Sequence, residues 1–453
     1  MSRHAVQLNK REDPLRQVRD VGLTMPGALF ALYCFFLVDY FLRLSARIPG
    51  YGQIRPTLLL VLLITLFLFS QRDKVRHVIR DPRLMAVWVL IGYILVSLPL
   101  VEWPGSVVRE NFAEFVKAVV FLFFTALIVD TDRRLRFTII LWLGLQIVRV
   151  LEPLYLNITT GYWGSSTHLG GGEYAERLSG APADVVNPNG LGFVIVTAIP
   201  FLHYLVGASP RWSLKLLYLA LMPPMLYALI LTASRGAIIA LLVVAWMVFK
   251  ESRHKLVLLV VGATLAAGAW FQMSDFQKDR YVSLVDEDSA QRATVAGRWG
   301  GMLGEFGLAM NRPLFGHGLG TTPEAKFNVA GGRDKAAHNL YAELIIEIGL
   351  IGFILFIRYL YRIYGLVRKN LEHLKSITHR PGIRESYEFR LNQALIAVFW
   401  MYTIYSINYF GLSQSYWYML GGICIAFARS LAHDTDASGV TSKQSRVRRP
   451  AHP

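Results

Sequence analysis

Apolar residues recur along this chain in runs near the length that crosses a bilayer, separated by polar segments. Twelve runs stand out, at roughly 21–42, 56–70, 84–101, 112–129, 137–156, 188–206, 214–232, 236–249, 256–273, 340–361, 392–409 and 416–429. The pattern predicts an all-α integral membrane protein of about 12 transmembrane helices, or roughly eleven to thirteen because some runs are short. Two polar stretches are long, 157–186 and 274–337, and the second has room for short helices of its own. The expected organisation is a basic arm over 1–20, a polytopic membrane domain over 21–430 and a disordered basic tail over 431–453.

Composition agrees with the pattern. The 453 residues are 54% hydrophobic and 17% charged, too apolar for an ordinary soluble protein. The first twenty residues are polar and lead into further spans, unlike a cleaved secretory leader. Cys34 and Cys424 both fall inside apolar runs, which argues against a disulfide framework or a cysteine-rich metal site. The net charge of +16 raises nucleic acid as a partner, but its distribution points elsewhere. With a cytoplasmic N-terminus, the arm, alternate loops and tail carry roughly two thirds of the 47 Lys and Arg. That is the positive-inside pattern, with both termini cytoplasmic and both long loops on the outer face; no nucleic-acid role is expected. The tail, with Lys443, Arg446, Arg448 and Arg449, fits a place beside the membrane lipids. No fixed-period repeat and no inverted pair of broken helices suggests a secondary transporter.

Three motifs carry polar chemistry. The first is Ser234-Arg235-Gly236, between two apolar runs with almost no loop. An arginine there needs a partner, and a guanidinium suits a diphosphate, which it holds with charge-assisted bonds; the structural alternative is snorkelling to the headgroups. The second is the run from Arg292 through Arg298 and Trp299 to Pro313, where helical spacing puts Met302, Phe306 and Met310 on one face. An ion pair of Arg298 with Glu305 or with Asp286-Glu287-Asp288 is its structural alternative. The third runs from Pro313-Leu314-Phe315-Gly316-His317-Gly318-Leu319-Gly320 to His338-Asn339-Leu340-Tyr341 and the acids Glu343 and Glu347. There a histidine able to exchange a proton near neutrality stands where an outer loop enters a membrane helix.

In this order and spacing, the three motifs resemble the O-antigen ligase and polymerase superfamily of bacterial envelopes. Arg177-Leu178-Ser179-Gly180 and Asn187-Pro188-Asn189 are similar to that family's loop before its next span. The topology is similar over roughly 20–430 and the specific motifs fill 177–352. Two positions depart from the family pattern. Met302 stands where a tryptophan is usual, which leaves Arg298 and Arg292 both open as the loop arginine, and His317 stands where relatives carry a small or aliphatic residue.

The resemblance implies a GT-C-like membrane glycosyltransferase of the bacterial inner membrane with a periplasmic site. It implies an undecaprenyl-diphosphate-linked glycan as donor and lipid A–core, another glycan or a protein hydroxyl as acceptor, with no metal and no cofactor. His338 is then the expected base, with Glu343 or Tyr341 orienting it. Arg235 and Arg298, or Arg292, are expected to neutralise the leaving diphosphate. Lys117 is a further candidate cation, with an ion pair to Glu114 as its alternative. Arg177, Asn189, His317 and Asn339 are the remaining candidate substrate contacts. Arg149 is expected to pair with Glu152. A lipid-linked glycan flippase is the rival class, and no feature specifies an oligomeric state.

Overall fold

The computed structural model describes residues 24–170, 173–252, 254–282, 292–331, 337, 339–376, 385–409 and 411–447. Its main helices are α1 (Gly27–Leu42), α2 (Pro56–Ser70), α3 (Pro82–Ser97), α4 (Phe112–Ile128) and α5 (Asp132–Thr160). A hairpin follows, β1 (Gly164–Gly170) and β2 (Glu173–Leu178). Then come α6 (Pro188–Phe201), α7 (Trp212–Leu231), α8 (Arg235–Glu251), α9 (Lys255–Gln272), α10 (Asp275–Val282), α11 (Arg292–Ala309) and α12 (Thr322–Asn328). The chain closes with α13 (Leu340–Ser376), α14 (Tyr387–Tyr405) and α15 (Ser415–Val447).

Among the described residues, each of the twelve apolar runs overlaps a helix. Among the described residues, 7 helical segments are long and apolar enough to cross a bilayer, those containing α2 to α7 and α13. Their outward surfaces are apolar: Leu58, Leu62, Leu66 and Phe69 of α2 are all exposed. Water tolerates such a surface poorly and lipid tolerates it well. The core forms where aromatic residues of different helices meet. Phe36 of α1 packs on Phe121 of α4 at 5.0 Å, and the Tyr33 hydroxyl hydrogen-bonds the Thr125 hydroxyl at 2.7 Å.

Several expectations change. The 157–186 stretch is not all loop: β1 and β2 pair antiparallel with Gly164 opposite Leu178 and Ser165 opposite Arg177. On β2, Arg177 is buried and Tyr174 exposed, the alternation of a strand with one covered face. The loop expected after 361 is helical as far as Ser376, so the part of α13 beyond its break, 350–376, is about 40 Å long and outruns the bilayer core. The segment expected to be a disordered tail from 431 begins as helix, because α15 runs on to Val447; extending a formed helix costs far less than starting one. In the long loop 274–337, α10, α11 and α12 are the helices its length allowed. On α11, Glu305, Leu308 and Ala309 are buried and Phe306 packs beside them, while Met310, just after the helix, is exposed. Leu308 and Ala309 pack with Ala325, Ile345 and Ile346, so α13 and α12 choose the face.

Arg149 does not pair with Glu152. Its guanidinium grips the Asp184 carboxylate in two bonds, 2.7 and 3.1 Å, while Glu152 takes Arg47 in two bonds of 2.6 and 2.5 Å. The loop after β2 returns over α5 and offers a better-buried acid. Asp184→Ala would leave a largely buried guanidinium unpaired, a change that costs about 3–5 kcal/mol. Thermal unfolding in detergent should show a large fall in midpoint for this variant and a much smaller one when Arg149→Met is added.

Candidate functional site

The site begins with a broken helix. Within α13, Gly349 has φ 66° and ψ −178°, a conformation that glycine alone adopts at little cost. The loop Pro313–Gly320 fills the break. His317 N donates to Ile346 O at 2.7 Å, Gly318 N to Glu347 O at 3.0 Å, and Leu350 N to Pro313 O at 2.7 Å. The Tyr93 hydroxyl donates to Ile348 O at 2.8 Å. The backbone groups released by the break are thereby satisfied, as a low-dielectric setting demands. Contact is so close that a Cβ on Gly349 would lie 2.1 Å from Leu314 O, and one on Gly316 2.6 Å from Glu347 O.

The Glu347 carboxylate continues the same join. It accepts from Gly320 N at 2.8 Å and from the Thr322 hydroxyl at 2.8 Å. His317 is buried, its Nδ1 2.5 Å from Glu102 Oε2 and its Nε2 3.3 Å from Leu308 O. Its ring stacks on Trp103 at 5.5 Å. Both ring nitrogens thus face protein acceptors, and the histidine braces the loop against the segment before α4.

The N-terminus of α13 is held on three sides. Asn339 Oδ1 accepts from Tyr341 N at 2.8 Å and Ala342 N at 3.3 Å, as a helix cap does. The Tyr341 hydroxyl donates to Thr403 O at 2.8 Å. Glu343 Oε2 accepts from Gly411 N at 2.7 Å and Leu412 N at 3.4 Å, which ties α13 to the turn between α14 and α15. His338, the residue before this anchored start, lies outside the described residues.

A second cluster forms where α7 meets α8. Ser234 caps α8, accepting from Ala237 N at 3.4 Å, and Arg235 is the first residue of that helix and buried. Arg177 of β2 reaches the same turn. Its Nε donates to Thr232 O at 2.9 Å, and its Nη2 to Asn189 Oδ1 at 3.0 Å and Ala233 O at 3.4 Å. Arg177, Asn189 and Arg235, widely separated in sequence, are thus brought together.

Aromatic rings join the two clusters. The Tyr405 hydroxyl donates to Asn189 O at 2.6 Å. Phe193 of α6 packs against Tyr405 at 4.8 Å, Tyr409 at 5.6 Å and Tyr416 at 4.5 Å. Tyr416 closes on Gly411, the residue that donates to Glu343. The Arg235 turn and the start of α13 therefore belong to the same end of the bundle.

The remaining candidates divide. Lys117 pairs with Glu114 at 2.5 Å, and both are well exposed, 42% and 63%. Arg292 and Arg298 lie on α11, but their side chains, like the residues Asp286-Glu287-Asp288, fall outside the description. Glu305, offered as a partner for Arg298, takes Lys326 of α12 at 2.6 Å. Sequence reasoning passed over Tyr93, Glu102, Asp184 and the ring cluster. Nothing local marks them, since Tyr93 and its acceptor Ile348 stand 255 residues apart.

A buried arginine turn and the anchored start of an interrupted helix lie at one end of an apolar helical bundle. Residues 217–357 match the family model described as O-antigen ligase. The match runs from α7 through the Arg235 turn, across the loop 274–337 and past Gly349, and over that segment supports the resemblance to the O-antigen ligase and polymerase superfamily. With its apolar helices, the chain is a multi-pass membrane protein. No curated protein matches it.

The helix break gives a direct test. Gly349→Ala is expected to lower the thermal midpoint in detergent sharply, because its Cβ has no room and its φ is left-handed. Gly365→Ala, in the same helix with nothing within 4 Å of the added Cβ, should leave the midpoint unchanged or slightly raised.

Proposed function

We propose that this protein is a glycosyltransferase that moves a glycan from an undecaprenyl-diphosphate carrier to an acceptor hydroxyl on the periplasmic face of the inner membrane, with lipid A–core as acceptor. The observation that carries the reading is the O-antigen ligase match over 217–357, a segment that contains the Arg235 turn and the start of α13, which the rings around Phe193 hold at one end of the bundle. The basic loops on the opposite face support a periplasmic mouth.

In this reading the reaction is a single inverting displacement without metal or cofactor. The acceptor oxygen attacks the anomeric carbon, a C–O bond forms, and the bond from that carbon to the diphosphate oxygen breaks. Undecaprenyl diphosphate leaves with the electron pair. His338 takes the hydroxyl proton, a role worth about 10²–10⁴-fold for a positioned base. The Asn339 cap and the Tyr341 and Glu343 bonds fix the helix that begins one residue later. Arg235 meets the charge that grows on the leaving diphosphate, with Arg298 or Arg292 from the outer loop as second cation. Fixed charges aimed at developing charge in a partly dry site are effective because they need not reorganise.

Transfer from purified carrier-linked glycan to lipid A–core in detergent is the assay. His338→Ala is expected to lose about 10²–10⁴-fold and Arg235→Ala about 10²–10³-fold, both still inserting in the membrane. Full transfer by either variant refutes the assigned roles. A deletion strain should make rough lipopolysaccharide and accumulate carrier-linked polymer; core bearing one repeat unit would instead identify a polymerase.

A further inference from the structure

Ala233 is one of three non-glycine residues with positive φ among the described residues, at 45°. It follows the last turn of α7 and donates its N–H to Ile230 O at 2.9 Å. That is the position after a helix where glycine is usual, because a Cβ there crowds the backbone. The next two residues are Ser234, which caps α8, and Arg235, which starts it. A relaxation at 233 would therefore swing the end of α8 that carries Arg235.

Arg177 is placed to prevent this. It is 7% exposed, and its guanidinium spans the carbonyls of Thr232 and Ala233, on both sides of the strained residue, while also holding Asn189 Oδ1. Asn189 belongs to the first turn of α6, whose cap is Asn187. The planar fork of an arginine suits several carbonyl acceptors at fixed angles. We infer that Arg177 is a positioning residue: it clamps the strained Thr232–Ala233 turn to α6 and so fixes the direction in which α8 presents Arg235 to the donor diphosphate. The inference rests on the proposed function for its link to transfer, but the clamp itself does not.

The test couples Arg177 to Ala233. Glycine adopts φ 45° without the penalty an alanine incurs, a difference of about 5- to 30-fold in equilibrium. Arg177→Ala is expected to reduce transfer by about that factor. Ala233→Gly alone should leave transfer near the parent rate, since residue 233 contributes no functional group. Added to Arg177→Ala, it should restore most of the loss. Two transfer results overturn the clamp. One is unchanged transfer in Arg177→Ala. The other is a double variant whose fold is restored but whose transfer stays as low as in Arg177→Ala, which would make Arg177 a direct substrate contact. If Arg177→Ala does not fold, Arg177→Lys takes its place with the same rescue expected. The clamp also has a readout without substrate. Ala233→Gly should raise the thermal midpoint in detergent more in the parent, where the clamp holds the strain, than in the Arg177 variant, where the turn has relaxed, and equal shifts refute it. A parent protein that transfers nothing while this unequal shift is seen refutes the proposed function and leaves the clamp standing.

Discussion

A helix inside a bilayer cannot be interrupted unless something takes over its backbone hydrogen bonds. In this protein the interruption is at Gly349 and the replacement is the loop Pro313–Gly320. Much of that end of the bundle follows from this exchange. The loop can enter only because Gly349 and Gly316 have no side chains. Once in, it carries His317 onto Trp103 and Glu102, which fastens the segment before α4. It also delivers Gly320 and Thr322 to Glu347, which fastens α12. The helix that follows His338 is thus built into the bundle from several directions.

The two clusters of the site solve different problems. At the start of α13 the polar groups are caps and anchors: Asn339, Tyr341 and Glu343 each meet a backbone group. At the start of α8 the guanidinium of one arginine organises backbone so that another arginine lies at a helix end. Aromatic packing around Phe193 holds the two together without requiring charge between them.

The helices were legible in the sequence because lipid imposes a simple composition, and each apolar run overlaps one. What the runs did not reveal are features set by tertiary partners. The inward position on β2 is occupied by Arg177, so the strand has no apolar alternation to announce it. The face that α11 buries is the one that meets α12 and α13. Arg149 has an acid three residues away in sequence and another in a distant loop, and only the fold decides between them. His317 reads as a titratable group at a water–lipid boundary; its burial comes from Trp103 and Glu102, more than two hundred residues away. The motif at 338–352 was visible, but the reason for Gly349, a helix opened to admit a loop, was not.

The join between loop and helix also sets a rule for chain length. Pro313, His317 and Gly318 meet Leu350, Ile346 and Glu347 through backbone atoms, in a fixed register like that of paired strands. Backbone contacts are indifferent to side-chain identity and sensitive to counting. Between 313 and 320 the glycines at 316, 318 and 320 are fixed by positive φ and crowding, and inserting or deleting one residue between 313 and 317 would shift donors off their acceptors. Geometry thus constrains the segment in its length as well as at its glycines.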